Sequence, residues 1–401
     1  MESRLRRALA AFSVTQVLAW GAQTYAIAVL APAVARDEGW SPGAIFSAYS
    51  AALLMQGLAS FPVGLALDRV GGRVVMAWGA LLSALALALV SLAPSPGLFL
   101  FAWCVVGLTM AMTQYEPAFA TLTAASATAE EARRAMTLLT FAGGLASTIA
   151  WPASAVLLPG FGWRGVWRAW AGAMLFVAAP LHLAFLPTAR GSASVLARQP
   201  IRGMFRRPAF WAIATAFAAG AVLFSAMAAH AVPMLEATGL RPDRAVAIAA
   251  LIGPAQVGGR LLEVAGLSRL CPSRVAILAG LCQPAAFLAL SGATGSPALA
   301  VFAVVLYGAS GGILTIVRGT LPAVLFGRER YGAITGALAL PAIGGRAAGP
   351  VLAASLLECA GGSWPAVQAV LAGLGLLGFA GFVLAARAGP GNARHTPGAT
   401  I

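Results

Sequence analysis

Charged residues are scarce in this 401-residue chain: only 9% of the residues are Asp, Glu, Lys or Arg, whereas 60% are hydrophobic. Soluble globular proteins carry about 25% charged residues, because their surface faces water. This chain has too few charges to cover such a surface. The composition therefore excludes a soluble protein and predicts that the lipid bilayer surrounds most of the chain.

Lysine is absent, and all 26 basic residues are arginines. They are scattered between apolar runs, with no basic stretch that alternates with aromatics, so the net charge of +14 does not indicate a nucleic-acid partner. The four cysteines are isolated and no histidine stands at metal-ligand spacing, so we expect neither a metal site nor a cofactor. No serine–histidine, His-Glu-x-x-His or paired-aspartate arrangement indicates an enzyme.

Long apolar runs occupy most of the chain. A membrane-spanning helix needs about 20 mostly apolar residues, and clusters of Gly, Pro and Ser separate the runs. We interpret the N-terminal run as an uncleaved span rather than a signal peptide, because many other runs follow it. The predicted spans lie near residues 9–34, 43–67, 74–92, 97–121, 135–158, 165–187, 208–234, 244–267, 274–291, 297–321, 331–356 and 364–386.

The arginines orient these twelve spans. With the N-terminus in the cytoplasm, 18 arginines fall in cytoplasmic segments, 5 fall in outer loops and 3 fall within spans. Basic residues favour the cytoplasmic side of a membrane. We therefore expect an integral plasma-membrane protein, located in the inner membrane of a bacterium, with both termini in the cytoplasm.

The longest polar connection, residues 188–207, divides the chain near its middle. We expect a six-helix bundle in residues 1–187, a cytoplasmic linker in 188–207, a second six-helix bundle in 208–387 and a cytoplasmic tail in 388–401. The predicted fold is an all-α membrane protein of two pseudo-symmetric bundles. An offset of 201 residues supports it by matching Gly57 with Gly258, Arg73 with Arg274, Gly107 with Gly308, Gly143-Gly144 with Gly344-Gly345, and Trp163 with Trp364.

A segment between the second and third spans contains Gly64, Asp68, Arg69, Gly71 and Arg73. The first glycine allows a helix to approach closely, and the aspartate can accept hydrogen bonds from an opposing helix N-terminus. The arginines can hold acidic partners or lipid phosphates. The segment resembles the G-x-x-x-D-R-x-G-x-R signature of the major facilitator superfamily. The resemblance implies a transporter fold in which this loop latches against the eleventh helix when the outer side is open.

Three further features are similar to the monocarboxylate and oxalate/formate transporter branch of that superfamily. They are Trp20-Gly21 in the first span, Arg133-Arg134 before the fifth span and Gly259-Arg260 in the eighth span. The likeness implies a carboxylate substrate and proton coupling. The acidic residue of that branch's first-helix motif is missing here.

Ionisable groups inside a bilayer cost about 2.5–3.5 kcal/mol each, so they normally face the interior of a helix bundle. Arg346 lies among small residues and can hold a carboxylate through two parallel hydrogen bonds; a purely structural role is the alternative. Arg260 and Glu263 share a helix face and can form an ion pair. The predicted substrate or coupling residues are Glu116, Arg260, Arg318, Arg346, Tyr25, Tyr115, Tyr307, Gln23, Gln256 and His230.

Two of these candidates predict a gate. The repeat offset maps Glu116 onto position 317, next to Arg318, so opposite charges occupy nearly equivalent sites in the two halves. We expect them to pair when the cytoplasmic side of the transporter closes. A central water-filled cavity is expected between the first, fourth, seventh and tenth helices.

The leading functional prediction is a secondary active transporter that moves a small organic solute, with a carboxylate as first choice, by alternating access and with proton coupling. The alternatives are an efflux pump for amphipathic or toxic compounds and a non-transporting receptor on the same fold. The expected partners are a small-molecule substrate, membrane lipid and protons, and the protein is expected to act as a monomer.

Overall fold

A computed structural model of the chain describes residues 3–187, 204–267, 270–326 and 331–388. Within these ranges the chain is helical apart from short turns, and no strand occurs among the described residues. Eleven helices are long and apolar enough to cross a membrane. The longest of them, Arg134–Phe185, has non-helical backbone at Gly162 and is long enough for two crossings. The predicted all-α fold of twelve spans is therefore confirmed.

The spans agree with the predicted positions to within a few residues at most ends. In chain order they are α1 Leu5–Glu38, α2 Pro42–Val70, α3 Gly72–Leu92, α4 Pro96–Ala125, α5 129–161, α6 163–185, α7 Pro208–Glu236, α8 Pro242–Glu263, α9 Pro272–Ser291, α10 Pro297–Phe326, α11 Tyr331–Cys359 and α12 Trp364–Arg387.

Local sequence explains where several spans begin. Proline occupies the first turn of α2 and α4, where its missing N–H would have no helical partner in any case. The hydroxyl of Ser41 caps α2 by accepting from the Ala44 N–H at 3.2 Å, and Ser95 caps α4 in the same way. These caps satisfy backbone donors that the bilayer interface would otherwise leave unpaired.

The internal repeat is visible in the packing of the helices. A Cβ atom at Gly107 of α4 would lie 2.1 Å from the Ala52 carbonyl oxygen of α2, so the two helices touch through backbone. Gly308 of α10 is the equivalent residue in the internal repeat. A Cβ atom there would lie 2.8 Å from the Ile252 carbonyl oxygen of α8. Only glycine allows such approaches. Matching glycines therefore make matching helix contacts in the two halves, defined here as α1–α6 and α7–α12.

The start of α1, the end of α12 and the α2–α3 turn lie at one end of the helix bundle, which we call the arginine-rich face. We call the other end of the bundle, where α2 begins and α11 ends, the opposite face. The predicted linker and tail fall mainly on residues 188–203 and 389–401, which lie outside the described residues. The predicted domain boundaries therefore stay a prediction.

Candidate functional site

The two halves are in direct contact at the opposite face. The backbone N–H of Gly43, at the start of α2, donates to the Glu358 carboxylate at the end of α11, at 3.2 Å. Further along the same two helices, the Val351 N–H donates to the Ser50 hydroxyl at 3.3 Å. These bonds close the seam between the halves at this face.

His230 is buried in the same seam and does not line an open cavity. Its Nε2 lies 2.9 Å from the Pro350 carbonyl oxygen, and its ring lies 3.9 Å from the Phe46 ring and 5.4 Å from the Trp364 ring. Because aromatic groups of α2, α7 and α12 meet here, the side chain helps to close the opposite face in this conformation.

In the described part of the chain, the ends of α4 and α10 at the arginine-rich face are not closely packed against each other. Glu116 and Arg318 are both exposed, and no ion pair joins them in the part of the chain that is described. The Arg318 guanidinium lies 5.7 Å from the Phe217 ring and within electrostatic range of both Arg346 and Glu116. It therefore faces a cleft between the halves rather than lipid, and this cleft opens towards the arginine-rich face.

Arg346 lies at the inner end of this cleft. It is 15 residues into α11, about 22 Å along a helix that spans the membrane, and so it stands at mid-depth. Its guanidinium lies 5.3 Å from the Trp20 ring of α1 and 5.7 Å from the Phe224 ring of α7. Its Nε and Nη2 atoms are buried and have no hydrogen-bond partner among the described residues. These two atoms form one edge of the guanidinium, and that edge matches the two oxygens of a carboxylate.

The predicted tyrosines lie around this centre. Tyr115 of α4 is 5.0 Å from Trp20, ring to ring, and Tyr25 of α1 is 6.3 Å from Trp20 and 5.4 Å from Trp151. Tyr307 is buried in the second half, where its hydroxyl donates to a backbone carbonyl of α7 at 3.4 Å. Side chains of α1, α4 and α7 thus meet in this region and α11 adds Arg346, whereas Tyr307 of α10 contacts the α7 backbone.

Gln23 belongs to a closed hydrogen-bond network rather than to the cleft surface. Its amide donates to Ser83 at 2.9 Å and to Thr109 at 3.2 Å, and its oxygen accepts from Thr113 at 3.2 Å. Gln114 extends the network to α2 through the Gln56 amide at 3.0 Å. Gln256, the other predicted glutamine, is partly buried on α8. Gly312 of α10 lies close to the backbone carbonyl oxygen of Gln256, not to its side chain.

The sequence interpretation missed the role of Gln16 and the break in α4. Pro117 has no N–H, so the Thr113 carbonyl four residues earlier loses its helical donor. The Gln16 amide of α1 donates to that carbonyl at 2.7 Å, and the backbone at Gln114 is extended. A mid-span proline facing a glutamine on another span is the signal that indicates this arrangement.

Arg260 makes a contact that differs from the predicted one. No ion pair joins it to Glu263 among the described residues; instead its Nη1 donates to the Thr140 carbonyl oxygen of α5, across the two halves. The side chain is only 6% exposed. A Cβ atom at Gly144 would lie 3.1 Å from Nη1, so this glycine gives the guanidinium space. The predicted pair is not formed because the packing of α8 on α5 turns the arginine away from its neighbour.

The loop motif forms the α2–α3 turn. Gly71 has a φ of 85° and a ψ of 158°, and the Arg73 Nε donates at 2.6 Å to the carbonyl of Leu186, which directly follows α6. Arg69 is exposed. Among the described residues, a Cβ at Gly64 would meet no atom within 4 Å. The Asp68 side chain and most side chains at the start of α11 lie outside the described residues.

We predict that Gly71→Ala destabilises the protein and that Gly64→Ala does not. The backbone conformation of Gly71 is almost restricted to glycine, and other residues there cost about 1–3 kcal/mol. Gly64 lies inside α2 with open space around it, so alanine favours the helix there by about 0.5–1 kcal/mol. Thermal unfolding in detergent measures both effects; equal melting temperatures for the two variants would refute the assignment.

We also predict that Glu358→Gln loosens the opposite face. A carboxylate at a helix N-terminus contributes about 0.3–1 kcal/mol more than a neutral group, so the open fraction of this face should rise about twofold to fivefold. Ala354 is fully buried and shares a face of α11 with Glu358, so thiol labelling of Ala354→Cys in a background without native cysteines reports the opening. Glu236→Gln, on α7 at the same face, is the matched control. Similar labelling rates in both variants would show that the hydrogen bond from Gly43 to Glu358 does not hold this face closed.

Comparisons with known proteins define the class. The family model of the Major Facilitator Superfamily matches residues 12–340. Since this match covers most of the chain, the protein belongs to the major facilitator superfamily. It is a membrane-embedded secondary transporter and not an enzyme.

Solved structures support the fold. The crystal structure of the nucleoside transporter NupG (D323A mutant) has a TM-score of 0.76 at 16% identity, covering 95% of this chain and 99% of that chain. A bacterial homologue of the human lysosomal transporter Spinster, inward-facing and occupied, has a TM-score of 0.69 at 18% identity, covering 97% of this chain and 96% of that chain. No match was found among curated proteins. These likenesses do not single out the monocarboxylate and oxalate/formate branch.

Proposed function

We propose that this transporter moves small organic anions, carboxylates above all, across the plasma membrane by alternating access. The single observation that carries the proposal is the Arg346 guanidinium, which stands at mid-depth between the halves with its Nε and Nη2 atoms unpaired. A buried cation without a hydrogen-bond partner is costly in a bilayer, and a bound carboxylate removes that cost.

The charge distribution of the cleft supports an anionic substrate. Arg318 stands between Arg346 and the arginine-rich face, and it lies within electrostatic range of Arg346. Two neighbouring cations in a low-dielectric cleft concentrate anions at its entrance. The proposed role of Arg318 is to attract the anion and that of Arg346 is to bind it.

Membrane orientation and coupling complete the proposal. The excess of arginines supports a cytoplasmic location for the arginine-rich face and both termini, and in that orientation the described conformation is open inward. Glu116 is the proposed proton carrier, because it is exposed in the cleft and lies within electrostatic range of Arg318. The proposed units are the two six-helix bundles, 1–187 and 208–387, joined by the cytoplasmic linker.

Efflux of amphipathic compounds is the second candidate, since aromatic side chains such as Trp20, Phe224 and Tyr115 surround the centre. A thermal-shift screen of the purified protein at two pH values separates the two candidates. A ligand at a hundred times its Kd stabilises a protein by about 2.7 kcal/mol. We expect carboxylates to raise the melting temperature more strongly at the lower pH, and Arg346→Leu to abolish the shift.

Arg387→Leu is the control, because Arg387 lies at the end of α12 beside the lipid-facing surface of Trp211. It should keep the full carboxylate shift. Stabilisation by neutral or cationic amphiphiles, with none by carboxylates, would favour efflux and overturn the anion proposal.

A further inference from the structure

Aromatic side chains form a continuous array from the cleft to Arg346. The Phe119 and Tyr115 rings of α4 stack at 5.2 Å with an angle of 7° between their planes. Tyr115 lies 5.0 Å from Trp20, and Trp20 lies 6.4 Å from Phe224 in an edge-to-face arrangement. Phe119, Tyr115 and Phe224 are partly accessible. The array therefore leads from the arginine-rich half of α4 to the guanidinium.

The geometry points to an aromatic carboxylate as the transported anion, which rests on the proposed function. The Trp20 and Phe224 rings lie next to the Arg346 guanidinium, while its Nε–Nη2 edge stays unpaired. A carboxylate bound to that edge lies in the plane of the guanidinium. A planar ring attached to it extends among the same aromatic side chains, where ring–ring contacts stabilise it.

The polar side chains nearby argue against a polyhydroxylated substrate. Three glutamine amides already donate hydrogen bonds within the first half. Gln16 donates to the Thr113 carbonyl, Gln23 to the Ser83 hydroxyl and Gln114 to the Thr24 hydroxyl. Because those bonds are already made, these amides are not free to recognise the hydroxyl groups of a sugar or a nucleoside. Recognition is left to one guanidinium edge, the aromatic rings and the hydroxyl groups of Tyr25 and Tyr115.

A dicarboxylate fits less well, because it needs a second cation close to the first. The buried Arg260 is held against α5, where its Nη1 donates to the Thr140 carbonyl; of its buried donor atoms only Nε lacks a hydrogen-bond partner among the described residues, so it does not offer a buried, unpaired two-donor edge. Arg318 stands eight residues before the end of α10, about 12 Å from the arginine-rich face, whereas Arg346 lies about 22 Å from the start of α11 at the same face. The two arginines are thus attached to their helices at different depths, which favours a ligand with one carboxylate over a compact ligand with two.

The test is a set of binding measurements with matched probes: benzoate, cyclohexanecarboxylate, acetate and benzamide. Benzoate and cyclohexanecarboxylate share size and charge but differ in aromaticity. We expect benzoate to bind the wild-type protein about tenfold more tightly than cyclohexanecarboxylate, and acetate to bind more weakly than either. Benzamide, which lacks the charge, should not bind.

Variants locate the effect. Phe224→Leu should lower the affinity for benzoate by a larger factor than the affinity for cyclohexanecarboxylate, and Trp20→Leu should do the same. Trp211→Leu, at an exposed tryptophan near the start of α7, should change neither affinity. Melting temperatures without ligand identify any variant that fails to fold.

The outcomes separate the two proposals. Equal affinities for benzoate and cyclohexanecarboxylate in the wild type would overturn the aromatic specificity and leave the anion proposal standing. Binding of benzamide but of no carboxylate, or of none of the four probes, would overturn the anion proposal and the specificity together.

Discussion

Replacing Arg346 by lysine will lower the rate of carboxylate transport by about tenfold to a hundredfold, because hydrogen bonds to a charged group contribute about 1.5–3 kcal/mol. Lysine keeps the positive charge but loses the planar fork, so it cannot offer two parallel donors to a carboxylate. It also loses the flat contact with the Trp20 and Phe224 rings. Folding should change much less, because no protein hydrogen bond of Nε or Nη2 is lost.

Initial uptake rates in proteoliposomes measure this effect, with the melting temperature as the folding readout. Arg387→Lys is the matched control, since it makes the same chemical change outside the cleft and should transport like the wild type. Wild-type transport by Arg346→Lys would mean that this residue acts as a point charge or supports the structure only.

Neutralising either gate residue will shift the transporter towards the conformation that is open at the arginine-rich face. Glu116 and Arg318 lie about 14 and 12 Å from the same ends of α4 and α10, at similar depth in the two halves. They are unpaired and exposed here. Closure of this face brings them together, and removal of one partner leaves the other uncompensated in the closed state.

We expect Glu116→Gln and Arg318→Gln each to shift the equilibrium by about 1–3 kcal/mol, or roughly fivefold to 150-fold. The labelling rate of a cysteine at Ala120, an exposed position on α4, reports access from this face. A double mutant with the charges exchanged should restore part of the wild-type rate. Glu358→Gln should change labelling in the other direction, and wild-type rates in both single mutants would exclude the gate.

Much of the fold could be predicted because each helix that crosses a bilayer needs a run of apolar residues, and such runs are visible in the sequence. Apolar runs of about 20 residues gave all twelve spans, and the offset of Gly107 to Gly308 marked contacts that require glycine in both halves. The unusual φ of Gly71 agrees with its place in the loop motif. Each of these features depends on local chain properties.

The site was harder to predict because it depends on contacts between distant helices. The spacing along α8 favoured Glu263 as the partner of Arg260. In the structure Arg260 instead donates to the carbonyl of Thr140, 120 residues away. Gln23 was expected at a cavity surface, yet it is fully buried in a network created by the break in α4. Sequence periodicity contains no information on which face of the bundle is closed.

The central claim is that organic anions cross the membrane through the cleft at Arg346, and counterflow measures it most directly. Proteoliposomes are loaded with unlabelled benzoate and diluted into a trace of labelled benzoate. The account predicts transient accumulation of label inside vesicles that carry the wild-type protein, and almost none with Arg346→Lys. Folded wild-type protein that accumulates no more label than empty vesicles, with benzoate and with the other carboxylates, would contradict it.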